Sequence, residues 1–176
     1  MGVMRMAVAL AVALVLDTVL SPVVSVAGGR PSIVVLTVVA FALTGGVDTG
    51  MRYGFVAGLA SDLLSGPGRL LGMSALVLTL VGAGVGLLRP AWPAHTWRLG
   101  TVVAAVAGGV AVGGYGVMEA LLGVRGRPSL GLLVGPVLGA ALCNAVIAPL
   151  ALWLLTRGRR PRALDLVITP FPSVGR

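Results

Sequence analysis

Long runs of apolar residues alternate along the chain with short segments that hold most of the arginines and prolines. A run of about 20 apolar residues is long enough for a helix to span a bilayer. Cutting the sequence at its arginines, prolines and glycine-rich breaks gives six segments, at roughly 6–26, 32–47, 53–66, 70–88, 99–122 and 130–156. The second and third segments are short, so five spanning helices are the alternative to six.

The composition assigns this pattern to a class of protein. Hydrophobic residues make up 57% of the 176 positions, charged residues 10%, and the mean hydropathy is +1.06. A soluble domain has about 25% charged residues, so this chain lacks the polar surface to cover a globule in water. We expect an all-α, polytopic membrane helix bundle with about six transmembrane helices. A single domain over 1–156 would be followed by a short basic cytoplasmic tail over 157–176.

The net charge of +8 comes from arginine, which supplies all 13 basic residues. Arginines between apolar runs are typical of loops at a membrane surface, so we expect contact with membrane lipids and none with nucleic acid. With six spans, nine arginines share one side of the membrane with both termini, and four lie on the other side: Arg30, Arg69, Arg125 and Arg127. The positive-inside bias then predicts that both termini are cytoplasmic.

The first segment allows another interpretation. Arg5, the apolar run over 6–16 and the small residues Ser25-Val26-Ala27 before Gly28 have the shape of a cleavable signal peptide. However, Asp17 interrupts the apolar stretch, and the stretch extends past the usual length of a signal-peptide core. These two features favour a first helix that is retained.

Three acids stand alone inside the apolar runs: Asp17, Asp62 and Glu119. A charge at the bilayer centre costs about 2.5–3.5 kcal/mol on insertion scales, so such positions are usually functional. The predicted topology places all three acids in the outer half of the membrane, where the four outer arginines emerge. The acids would either pair with those arginines and hold the bundle together, or line a polar cavity or docking surface open to the outside.

Small residues recur at four-residue spacing in most segments, for example Gly54/Gly58 and Gly82/Gly86. Helices in lipid associate through close backbone approach, which small residues permit. The longest such run is Gly131/Gly135/Gly139, and it predicts a tightly packed last helix in which Asn144 hydrogen-bonds across to a neighbour. The sequence contains no catalytic dyad, nucleophile–base pair or phosphate loop, so we expect no enzyme activity, no cofactor and no metal site.

Two stretches of the sequence carry a resemblance to a known family. Residues 54–66, GFVAGLASDLLSG, form a glycine-rich helix pattern with an Asp-Leu pair and a glycine-containing turn, and LGMSAL over 71–76 opens the next helix. Near the end of the chain, NAVIAPL over 144–150 places an Asn five residues before a Pro. In these features the chain resembles the MreD family, which are rod-shape-determining membrane proteins of bacteria.

The resemblance implies a subunit of the elongation machinery in the bacterial cytoplasmic membrane. Family members work with the bitopic protein MreC, with the cytoskeletal MreB, and with RodA and a class B penicillin-binding protein in side-wall peptidoglycan synthesis. Carried over to this chain, Asp62, Gly66 and Gly72 would shape the turn between the third and fourth helices, while Asn144 and Pro149 would shape the last helix. The full set of candidate partner and packing residues is Asp17, Gly58, Asp62, Gly66, Gly72, Glu119, Gly135, Asn144 and Pro149.

The family also resembles the S components of energy-coupling-factor transporters in its six-helix fold. The alternative function is therefore a substrate-binding S component for a vitamin or metal ion. Two alanine pairs on the first helix, Ala7/Ala11 and Ala9/Ala13, resemble the Ala-x-x-x-Ala docking surface of those proteins. A ligand pocket usually gathers polar and aromatic groups, and this chain offers few, with Tyr53 and Tyr115 as its two tyrosines.

Overall fold

The computed structural model describes residues 2–20, 25–65, 71–89, 97–123 and 130–156. These residues form six helices: α1 (Gly2–Leu20), α2 (Ile33–Gly45), α3 (Val47–Leu64), α4 (Met73–Leu87), α5 (Trp97–Leu121) and α6 (Leu130–Thr156). The number of helices agrees with the six apolar segments of the sequence. Residues 90–96 and the predicted tail over 157–176 lie outside the described residues.

Helix α2 is the centre of the bundle. Ten of its 13 residues, Val34 to Leu43, are buried, and α2 contacts each of the other five helices. Around it, α1 contacts α3, α3 contacts α4, α4 contacts α5, and α5 contacts α6. A 13-residue helix is only about 20 Å long, which is shorter than the roughly 30 Å hydrocarbon core of a bilayer. Because α2 is enclosed by protein, its ends meet polar groups of neighbouring helices rather than lipid.

Two helices are long and apolar enough to cross a membrane by length and composition, at Leu99–Leu121 and Leu133–Leu154. Three shorter apolar helices accompany them, at Met6–Val19, Ile33–Gly45 and Met73–Leu87. Many large aliphatic side chains on α1, α4, α5 and α6 are exposed, including Val8, Leu80 and Val106. An apolar exterior of this kind is suited to lipid, in which exposure of aliphatic side chains carries no penalty.

Helices α3 and α4 form the closest pair in the bundle. The Gly50, Gly54 and Gly58 positions, one on each successive turn of α3, face the backbone of α4 so closely that a Cβ atom there would overlap it. Gly82 and Gly86 on α4 meet the backbone of α3 in the same way. The pairs Gly54/Gly58 and Gly82/Gly86 noted in the sequence therefore lie in one interface. The absence of side chains at these positions lets the two backbones touch.

The boundaries of two helices differ from the sequence prediction. The first helix ends at Leu20 rather than near 26, and the third begins at Val47 rather than at 53. Residues 48–52, which lie between the second and third apolar segments of the sequence, belong to the first turns of α3, and the chain reverses at Gly46, whose φ is +82°. The charges of Asp48 and Arg52 gave the misleading signal. The two side chains form an exposed i,i+4 ion pair of 3.0 Å on the helix surface, a spacing that suits a helix.

The connection between α1 and α2 contains a tight turn that packs on α6. Val26 and Gly29 exchange backbone hydrogen bonds of 2.9 and 2.8 Å, and the two residues between them, Ala27 and Gly28, have φ of +50° and +82°. A two-residue turn with positive φ at both positions is the usual link between antiparallel segments. It brings the chain back toward the start of α2.

The predicted glycine run of the last helix meets this turn rather than only another helix. A Cβ at Gly139 would overlap the Val26 carbonyl, and a Cβ at Gly135 would lie 3.0 Å from the Ala27 carbonyl. The Cβ position of Gly131, in contrast, has no described atom within 4 Å. The run Gly131/Gly135/Gly139 is therefore not one continuous interface, and its last two members accommodate a turn of the chain.

Candidate functional site

A polar cleft of about 380 Å³ opens at the end of the bundle where α1, α3 and α5 finish and α2, α4 and α6 begin. All six helices contribute to its lining. Nine polar residues that the structure describes line it: Asp17, Thr18, Arg30, Ser32, Ser61, Ser65, Ser74, Tyr115 and Asn144. In a chain with this much apolar surface, such a concentration of hydrogen-bonding groups makes the cleft the candidate functional site.

The first wall of the cleft is built where Asp17 of α1 meets the beginning of α2. Asp17 Oδ1 accepts a hydrogen bond of 2.7 Å from the Ile33 backbone N–H, and Oδ2 accepts one of 3.3 Å from the Ser32 hydroxyl. Ser32 is the N-cap of α2, and its hydroxyl in turn accepts from the Val35 N–H at 3.3 Å. The first N–H groups of a helix have no partner within it, so the carboxylate satisfies donors that could not be left bare in a membrane interior.

Asn144 of α6 completes this cap. Its Oδ1 accepts a hydrogen bond of 3.0 Å from the Ser32 N–H, so the hydrogen bond to a neighbour predicted for this side chain is present. The side chain is fully buried, and Nδ2 has no hydrogen-bond partner among the described residues. Because Ser32 N–H is a donor, the atom facing it must be the oxygen, which fixes the orientation of the amide. Gly108 of α5 makes room for Nδ2, since a Cβ there would overlap it.

The second wall is built where Asp62 of α3 meets the beginning of α4. Asp62 accepts hydrogen bonds from the Gly72 N–H at 2.8 Å, from the Ser74 N–H at 3.1 Å and from the Ser74 hydroxyl. Gly72 is the N-cap of α4 with φ of +96°, and it has no side chain to cap the helix. Asp62, only 4% exposed, therefore supplies from α3 the cap that α4 lacks.

Asp17 and Asp62 thus do the same structural work at two places. Asp17 lies three residues before the end of α1 and Asp62 two residues before the end of α3, and each caps the helix that follows. A carboxylate near a helix C-terminus is unfavourable there, but it gains from the positive end of the next helix dipole. Glu119 has the same position, two residues before the end of α5, and is half-buried.

The expected pairing of these acids with outer arginines can be judged only for Arg30. This exposed residue lines the cleft with Asp17, but no ion pair within 4 Å joins the two described side chains. Arg69, Arg125 and Arg127 lie outside the described residues, so pairing with them stays a prediction. The partners that the structure provides for Asp17 and Asp62 are backbone N–H and serine hydroxyl groups.

The remaining predicted residues fall in several places. Gly58 lies in the α3–α4 interface and Gly135 against the 26–29 turn. Pro149 lies inside α6, which continues through it, and Gly66 lies outside the described residues. The structure therefore gathers Asp17 and Asn144 at the cleft and places Asp62 behind Ser74 in its wall, while Gly58 and Gly135 lie in packing contacts.

Three residues of the cleft were missed by the sequence analysis: Ser32, Ser74 and Gly108. Ser32 directly precedes an apolar run and follows Pro31, which is a typical N-terminal signal of a helix, so this residue could have been found. Ser74 lies in the first turn of α4 and donates its hydroxyl to Asp62 of α3; it stands in the LGMSAL stretch, but no feature of the sequence indicated this role. Gly108 is one of 27 glycines, and only the contact with Asn144 distinguishes it.

Comparison with known proteins gives one family. The sequence model of the family described as rod shape-determining protein MreD matches residues 1–125, which contain α1 to α5 and both acid-capped helix starts. None of the curated proteins and none of the solved structures gives a significant match. Asn144 and Pro149 lie beyond the matched residues. The match nevertheless covers more than two thirds of the chain, and the chain belongs to the MreD family of membrane proteins that determine rod shape.

Proposed function

We propose that this protein is a non-enzymatic subunit of the bacterial elongation machinery that docks MreC and helps to position side-wall peptidoglycan synthesis. The family match over residues 1–125 carries this proposal, because it assigns the chain to rod-shape determination. MreB, RodA and a class B penicillin-binding protein are the further partners that this role implies. The tight α3–α4 unit and the capped central helix support it, since a rigid bundle suits a protein that positions others.

We further propose that the chain is multi-pass and that both termini lie in the cytoplasm. The arginine distribution supports this orientation. In that orientation the cleft opens to the outer side of the membrane, and the exposed Asp48–Arg52 pair lies on the cytoplasmic side. The short α2 and α4 would then lie within the membrane as protein-enclosed helices that need not match its full thickness.

A groove between α4 and α5 is the surface we propose for a partner helix. It has a volume of about 600 Å³ and is lined by aliphatic side chains such as Leu80 and Val106. Two glycines, Gly84 and Gly114, lie in its lining. The Cβ position of Gly84 has no described atom within 4 Å, so a second helix could approach its backbone closely. MreC is bitopic, and its single membrane helix is the occupant we propose.

The experiment that tests this docking compares two glycines with open surroundings. Gly84→Leu fills the groove without a clash inside the protein, and we expect it to reduce co-purification with MreC. Gly131→Leu is the matched control, because the Cβ position of Gly131 also has no described atom within 4 Å, but Gly131 lies on α6. Equal retention of MreC by both variants and the wild type would exclude the groove as the docking surface.

The alternative, an S component of a transporter, has one observation in its favour, the polar cleft. The lining of the cleft includes Tyr115 but leaves Tyr53 in the core, where it contacts Phe41. Ala7 and Ala11 are exposed on α1 and would be available for docking. The family match favours shape determination, and isolation of the protein with a transporter ATPase instead of MreC would favour the alternative.

A further inference from the structure

Among the residues that the structure describes, the lining of the cleft includes one acid and one base that form no ion pair with each other. Asp17 and Arg30 both line it, and no ion pair within 4 Å joins them. Asp17 accepts one hydrogen bond on each oxygen, and a carboxylate has about four lone-pair sites, so each oxygen has capacity for another donor. Arg30 is exposed and offers up to five N–H donors. Among the described residues, both charges are thus available to a ligand that carries an ammonium group and an anionic group.

A second observation points to the same cleft. Asn144 lines it and is completely buried, yet its Nδ2 has no partner among the described residues. A buried amide donor without an acceptor is costly, and an acceptor oxygen reaching the floor of the cleft would remove that cost. The Thr18 hydroxyl donates to the Val15 carbonyl at 2.8 Å and adds an acceptor oxygen to the same lining.

We propose that the cleft binds a small zwitterion, with its ammonium group at Asp17 and its anionic group at Arg30. The volume of about 380 Å³ accommodates a ligand of this size. A divalent anion fits less well, because the carboxylates of Asp17 and Asp62 already occupy the helix starts that would attract it. Two sources carry this chemistry, the headgroup of phosphatidylethanolamine and a free zwitterion in solution. The position of the cleft at the end of the bundle gives access to both.

The test uses the full-length protein in nanodiscs. Thermal unfolding is measured, and lipid retention is recorded by native mass spectrometry, in phosphatidylethanolamine and in phosphatidylcholine. The phosphatidylcholine headgroup keeps both charges, but its ammonium group has no N–H to donate. Free phosphoethanolamine, added to phosphatidylcholine nanodiscs, is the soluble probe. We expect a preference of about tenfold for the N–H-bearing headgroup, the effect of one charge-assisted hydrogen bond.

Two variants make the result specific. Arg30→Gln should reduce binding without affecting folding, because Arg30 is exposed and forms no ion pair with a described acid. Arg52→Gln is its matched control, an exposed arginine at the opposite end of the bundle. Asp17→Asn should also reduce binding, but it weakens the cap of α2, so Arg30→Gln decides the outcome.

The possible results distinguish the two sources of the ligand from each other, and they also show whether the cleft binds a zwitterion at all. Retention of phosphatidylethanolamine that is lost in Arg30→Gln identifies the headgroup as the ligand, and stabilisation by phosphoethanolamine alone identifies a free zwitterion. No discrimination among the lipids together with no effect of phosphoethanolamine overturns the proposal, as does an equal loss in Arg30→Gln and Arg52→Gln. Co-purification with MreC, measured on the same samples, reports separately on the proposed function.

Discussion

Replacing Asp62 by alanine should destabilise the bundle more than replacing any other acidic residue that the structure describes. The side chain is 4% exposed and accepts hydrogen bonds from the Gly72 N–H, the Ser74 N–H and the Ser74 hydroxyl. Alanine leaves these donors without an acceptor. Ser74 is itself 1% exposed, so its N–H is shielded from water that could replace the carboxylate.

The size of the effect follows from these contacts. An unsatisfied buried donor costs about 1–3 kcal/mol, and loss of a helix cap costs about 1 kcal/mol. Relief of the desolvated charge offsets part of this sum. We therefore expect a loss of about 2–4 kcal/mol. For a chain of this length, a loss of 3 kcal/mol lowers Tm by roughly 6–12 °C.

Thermal unfolding of the purified protein in one detergent measures this effect. Asp48→Ala is the control, because Asp48 forms an exposed i,i+4 ion pair with Arg52, and such pairs contribute about 0.3–0.5 kcal/mol. Asp62→Asn should fall between the two, since its Oδ1 can accept from the backbone while its Nδ2 donates to the Ser74 hydroxyl. If Asp62→Ala and Asp48→Ala shift Tm equally, the capping role of Asp62 is refuted.

Three further predictions concern packing and orientation. Gly108→Ala should displace the Asn144 amide and lower Tm by several degrees. Gly113→Ala on the same helix should have little effect, because the nearest described atom is 3.6 Å from its Cβ position. Equal Tm values for the two variants would contradict the contact between Gly108 and Asn144. Gly135→Leu should be destabilising because its side chain would collide with the 26–29 turn, and wild-type stability would remove the argument from small residues. A reporter enzyme that works only in the cytoplasm, fused after the last residue, should be active, and a silent fusion would reverse the predicted orientation.

Helix number and class could be predicted from the sequence because both follow from the length and spacing of apolar runs. The helix boundaries near 48–52 could not, since the charges of Asp48 and Arg52 are compatible with either a turn or a helix surface, and the φ of Gly46 decides. Asp17 and Asp62 stood out as acids in apolar runs, which is a strong local signal.

The partners of those acids were not predictable from the same signal. A pairing with arginines was expected because opposite charges attract, but backbone N–H groups at helix starts are equally suitable partners for a carboxylate. Which partner is used depends on where one helix begins relative to the end of another. That relation is a property of packing, as the contacts of Asp17 with Ser32 and of Asp62 with Ser74 demonstrate.

The central claim is that this chain acts in rod-shape determination through MreC. The most direct measurement depletes the protein in the bacterium that carries it, records cell width, and isolates the tagged protein with its membrane partners during complementation. We predict that depleted cells become wider and round, that the wild type restores the rod and retains MreC, and that Gly84→Leu does neither. Unchanged cell shape on depletion, together with no MreC in the isolated complex, would contradict the account.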